Sequence, residues 1–108
     1  MIDANEINEI LTIYKKYGWE LRRVLLTAEV KENVGDIFTG VSVAESDIDA
    51  AWFSRPPQLG AIAWEIRHLS TAPYALLEHL DESDAGFEGA LRAVETRLRD
   101  AVSKTRTA

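Results

Sequence analysis

Ala61–His68 constrains the fold of this chain more than any other stretch. Ile62, Trp64 and Ile66 alternate there with Ala63, Glu65 and Arg67. Side chains on a strand point to opposite faces in turn, so one face becomes apolar and the other charged. That pattern predicts a half-buried antiparallel strand. Pro56-Pro57-Gln58-Leu59-Gly60 precedes it and Ser70-Thr71-Ala72-Pro73 follows it. Proline has no N–H to give a ladder, so both segments read as turns. Ile48–Arg55 and Tyr74–Leu80 then complete a three-strand meander. Tyr74, Leu77 and Leu80 would also suit a helical turn, but a short stretch after a turn favours a strand.

Helices are expected at both ends. Asp3 to Gly18 carries Ile7, Ile10, Leu11 and Tyr14 at helical spacing. Asp3 can cap it, with Glu6 three residues on. Lys15 and Lys16 suit its last turn, and Gly18 its stop. Near the other end, the acids of Asp81-Glu82-Ser83-Asp84 read as a helix start. Phe87, Leu91, Val94, Leu98 and Ala101 or Val102 then form an apolar stripe. Residues 103–108 are expected to fray.

Between the first helix and the meander, Trp19–Leu26 reads as a strand. Trp19, Leu21, Arg23 and Leu25 would share one face and Glu20, Arg22, Val24 and Leu26 the other. Thr27 is placed to cap a short helix, Ala28–Val34, which Gly35 ends. Residues 36–47 are less regular; Gly40-Val41-Ser42-Val43 alternates enough for a short edge strand. The fold class that follows is α+β, a two-layer sandwich in one domain of residues 1–108. Its antiparallel sheet of about four strands (the meander plus the N-terminal strand) would be covered on one face by the N- and C-terminal helices.

Composition narrows the function. The chain has no cysteine, which excludes disulfides, thiolate nucleophiles and Cys-ligated metals. Two histidines cannot make a three-His site. The net charge of -6 opposes phosphate backbones and anionic lipid, so neither nucleic acid nor membrane is an expected partner. The acidic start, without an apolar run, reads as no targeting segment, and a cytoplasmic location is expected. No cofactor or metal is expected. Gly40-Val41-Ser42-Val43-Ala44 ends in Ala where a nucleophile elbow needs Gly. Counted from Asp81, the twelfth residue is Arg92 where a calcium loop needs Glu.

The candidate binding residues lie on the predicted strands. Glu65 and Arg67 point away from the apolar row, and Arg22 and Arg55 could join them. An arginine beside a glutamate and a tryptophan can grip a carboxylate or phosphate. The plainer reading is cross-strand ion pairing. Trp52 adjoins Phe53, so the two cannot enter one core; either the sheet is covered twice or one ring reaches a partner. His68 could act as an acid or base. It could share a metal with His79 only if the hairpin pairs with an odd index sum.

The reading that best fits is a small acidic protein-interaction module, a homodimer that also binds another protein, more readily a binding domain than an enzyme. Self-association would use the seam of the last helix or an open sheet edge. The alternative is a domain, or a minor enzyme, that holds a small anionic molecule. Arg22, Trp52, Arg55, Glu65, Arg67 and His68 would form its site.

Overall fold

The computed structural model describes residues 2–55, 62–70 and 74–107, with side chains as far as Ser103. The elements in chain order are α1 (Ala4–Lys16), β1 (Glu20–Leu26), α2 (Ala28–Val34), a 3-10 turn (Gly35–Ile37), β2 (Ser42–Glu45), β3 (Ala50–Arg55), β4 (Ile62–His68), β5 (Ala75–Leu80) and α3 (Phe87–Thr107). The strands form one mixed sheet in the order β2-β1-β3-β4-β5. Of the expected turns, residues 56–60 and 71–73 lie outside the described residues.

The α+β class therefore holds, but the sheet differs from expectation in two ways. It has five strands, and β2 runs parallel to β1, with Arg23 opposite Ser42 and Leu26 opposite Glu45. A parallel neighbour needs a crossover of a dozen or more residues. Residues 27–41, with α2 inside them, supply it.

The second correction is to the layers. The helices do not share one face. α1 and α2 pack over one side, where Ile7, Val24, Leu26, Val30, Val34, Ala51 and Phe53 form a core. α3 covers the other, where Ala50, Trp52, Trp64, Ile66, Phe87, Leu91, Val94 and Leu98 form a second core. β3 requires this: Trp52 and Phe53 point to opposite sides and are 0% and 1% exposed. Burying two large rings back to back needs a cover on each face. The seam of α3 is consumed within the chain, since Leu91 and Leu98 are buried against its own sheet.

Local chemistry follows the sequence in part. The Glu6 amide donates to Asp3 Oδ1 at 2.9 Å, the expected cap of α1. Gly18 has φ +86°, which glycine adopts without a Cβ clash. Thr27 occupies the cap position of α2, yet its N–H and hydroxyl both donate to Asp49 Oδ1. Gly35 is right-handed, so the chain tightens into the 3-10 turn there instead of stopping. Asp81 and Asp84 precede α3, and each accepts an N–H two residues on, from Ser83 and from Gly86. Such local turns account for these acids without an ion. α3 extends to Thr107.

β1 carries one irregularity with consequences. Leu21 pairs with Phe53, but Arg23 pairs with Trp52. Arg22 is thus an extra residue, a bulge that resets the alternation. Arg22 and Arg23 both reach the α3 side as a result, rather than opposite sides. Leu21, Val24 and Leu26 keep to the α1 side.

Candidate functional site

The sheet divides the predicted site residues. On the α3 side, Trp52 is fully buried and its Nε1 donates to Glu95 Oε2 at 2.8 Å. Arg22 donates to Ser54 Oγ at 3.0 Å and to Glu82 Oε2 at 2.8 Å, with its guanidinium 4.8 Å from the Trp64 ring centre. Arg22 and Trp52 are therefore structural members of the α3 layer. His68 pairs with Ala50 on that same side.

Arg55, Glu65 and Arg67 lie on the opposite side, at pairs with Ala63, Phe53 and Ala51. The six residues do not line one pocket. The three arginines fail to converge because Arg22 is separated from the other two by the thickness of the sheet. The hairpin test is also decided. β4 and β5 pair with an even index sum, Arg67 with Ala75 and Ala63 with His79. His68 and His79 are thus on opposite faces. No three His, Asp or Glu side chains group as metal ligands among the described residues.

Glu65 and Arg67 do belong to a distinctive surface. α1 is joined to β1 by a short turn and α2 sits in the β1–β2 crossover, so both helices are held toward the β1 end of the sheet. The part of this face made by β4 and β5 has no helix above it among the described residues. Its floor is Ala63, Glu65 and Arg67 from β4 and Ala75, Leu77 and His79 from β5. Its wall is one flank of α1. Tyr14 stacks on Phe53 with ring centres 4.0 Å apart, and its hydroxyl donates to Glu65 Oε2. Burial and the Glu65 carboxylate raise the Tyr14 pKa above the ordinary tyrosine value of 10.0, because both disfavour a phenolate. Arg67 donates to the His68 carbonyl oxygen.

Leu11 and Lys15 mark the other flank of α1. With Trp19, Glu20, Leu21 and Phe53 they line an apolar cleft of about 280 Å³. A residue turns 100° around a helix from the one before, so Ile13 and Tyr17 fall on the side away from Leu11 and Lys15. Ile13, Tyr17 and Leu77 are the large apolar side chains the chain leaves most open, at 55%, 59% and 53% exposure. Only Leu77 belongs to the uncovered half of the sheet; Ile13 lies with Asn5, Asn8, Glu9 and Thr12 along α1, and Tyr17 is the residue that caps the end of that helix.

Strand alternation places Glu65 and Arg67 on this face, but sequence reasoning missed Leu77 and Tyr14 beside them. The signal for Leu77 was present: alternation along 75–80 sets Ala75, Leu77 and His79 on one face. What it could not supply was the position of the helices above that face. Comparison with protein-family models, with curated proteins and with solved structures finds no match to this chain.

Proposed function

We propose that this chain is a small acidic protein-interaction module of the cytoplasm that acts as a homodimer and docks through the uncovered β4–β5 half of its sheet. One observation carries the reading: Leu77, 53% exposed, stands on an edge strand whose opposite face is covered by α3, and no helix lies over its own face among the described residues. A lone exposed leucine needs no explanation, whereas one on an unpaired edge strand beneath no helix offers backbone and apolar surface to a partner together. The polar rim is supplied by Glu65, Arg67 and His79, as at ordinary protein interfaces. No helix among the described residues is long and apolar enough to cross a membrane.

A second reading, a site for a small anionic molecule, draws on the apolar cleft. Arg55 lies 5.5 Å above the Trp19 ring, and no carboxylate pairs with it among the described residues. Lys15 lines the same cleft. A cation beside a tryptophan can hold a carboxylate whose apolar tail fills the cleft. Native mass spectrometry of the gently purified chain separates the two. A dimer mass with nothing attached is expected. A retained anion that disappears on Arg55→Ala would reverse the order of the readings.

A further inference from the structure

We propose that the second copy docks edge to edge along β5, antiparallel, with the two-fold axis passing between Leu77 and Leu77 of its partner. The inference rests on the homodimer reading above and adds which edge is used and in which register.

Backbone direction fixes the first step. The His68 N–H donates to the Tyr74 carbonyl at 2.8 Å. Pairs in an antiparallel ladder alternate between those that exchange hydrogen bonds and those that do not. Tyr74, Leu76, Glu78 and Leu80 therefore turn their backbone groups toward β4. Ala75, Leu77 and His79 turn theirs outward, at an edge with no strand beside it among the described residues. Exposed edges are normally blunted by lysine, proline, a bulge or shortness. β5 has no lysine, proline or bulge over its six residues and carries one charge, Glu78, whereas the opposite edge, β2, has only four residues and ends in Glu45.

Self-pairing must keep each face continuous, so only registers with an even index sum apply. Centred on Leu77, the pairing sets Leu77 against Leu77 and Ala75 against His79 of the partner. Every outward N–H and C=O of β5 is then satisfied. Centred on Glu78, it sets two carboxylates directly opposite each other, which is destabilising. Centred on Leu76, it leaves the backbone groups of His79 without a partner in β5. The Leu77 register alone satisfies the edge and avoids the clash.

α3 supplies an independent observation. Arg97 reaches Glu78 of β5 at 2.5 Å, while Glu88 and Arg99 reach Arg23 and Asp47 at the other side. These contacts orient the helix, so Ala90, Ala93 and Ala101 fall on the flank toward the β5 edge. A continuous ten-strand sheet would bring this flank alongside its counterpart, where Ala90 and Ala101 leave room beside the Arg97–Glu78 pair. On the other face, two uncovered β4–β5 halves would merge into one trough walled by α1 of each copy.

The test uses sedimentation velocity on the intact chain and on single substitutions. Leu77→Asp, at an exposed position, should leave the folded circular dichroism spectrum unchanged and weaken the dimer about a hundredfold or more, because it sets like charges on the axis. The absence of native cysteine makes Leu77→Cys a clean probe. Hydrogen-bonded antiparallel pairs lie about 5.5 Å apart at Cα with their Cβ atoms too far apart for an unstrained disulfide, so a short bifunctional thiol crosslinker should trap a covalent dimer. A dimer that survives Leu77→Asp, or crosslinks through Glu78→Cys or Val43→Cys but not Leu77→Cys, overturns this inference and leaves the homodimer reading standing. A chain that stays monomeric at high micromolar concentration overturns both.

Discussion

On the α3 side of the sheet, Trp52, Trp64 and Ile66 are sealed beneath Phe87, Leu91, Val94 and Leu98. On the α1 side, Phe53 is sealed beneath Tyr14, yet Leu77 on the edge strand is half exposed. The same strands supply both faces, so the contrast does not come from the sheet. It comes from connectivity. α3 follows β5 and is free to run back across the sheet. α1 is tied to β1 by the turn through Gly18, and α2 must lie over the β1–β2 crossover. One face is thereby covered by α3, and half of the other carries no helix among the described residues.

The contrast breaks most visibly at Leu91. Leu91→Asp should unfold the whole chain, measured as loss of the cooperative thermal transition, because an unpaired carboxylate would enter a sealed apolar layer. Folded monomers instead would mean that α3 packs on a partner rather than its own sheet.

A finer test compares the two tryptophans of that layer. Trp52 Nε1 is hydrogen-bonded to Glu95, while Trp64 Nε1 is buried without an acceptor among the described residues. Replacing either ring by Phe removes similar volume. Trp52→Phe also strips the partner from a partly buried carboxylate, whereas Trp64→Phe removes a donor that already lacks one. Trp52→Phe should therefore cost about 1–3 kcal/mol more than Trp64→Phe in urea denaturation. Equal costs would show that the Glu95 bond adds no net stability.

Tyr14 tests the margin between the covered and open halves. Its folded pKa is raised, by burial first and then by the Glu65 hydrogen bond and charge. The folded chain then keeps its proton at pH values where the unfolded chain has lost it. Stability is fully present below the ordinary tyrosine value and falls as pH rises through and above it. Tyr14→Phe should flatten this alkaline decline in denaturation midpoints taken from pH 8 to pH 11. An unchanged slope would remove Tyr14 as its source.

The smallest effect is expected at the exposed Arg23–Glu88 pair. The Arg23 hydrogen bonds hold the Glu88 carboxyl below its ordinary range. That contribution is present above the ordinary glutamate pKa and is lost as pH falls through the lowered value. Arg23→Gln should shift the acid midpoint only slightly, since exposed pairs are screened by water.

Much of the fold was legible because its signals are local. Asp3, Gly18 and the alternation of Ile62, Trp64 and Ile66 each declare an element within a few residues. The candidate site was less legible. Glu65 and Arg67 stood out by strand alternation, but Arg22 was assigned to the wrong face because a bulge adds one residue without marking the sequence. The parallel partner of β1 escaped for a related reason. Ser42–Glu45 shows that it can be a strand, and nothing within it says which neighbour it joins or in which direction.

Residue spacing locates most of the helices and strands and requires Trp52 and Phe53 to separate, since the strand period and backbone sterics act over neighbouring residues. Which face each helix covers, that Leu77 is left open, and that Tyr14 meets Glu65, 51 positions further along the chain, follow from the tertiary arrangement alone. These depend on how the helices are tied to their strands and compete for two sheet faces, a long-range constraint that no short window of residues contains.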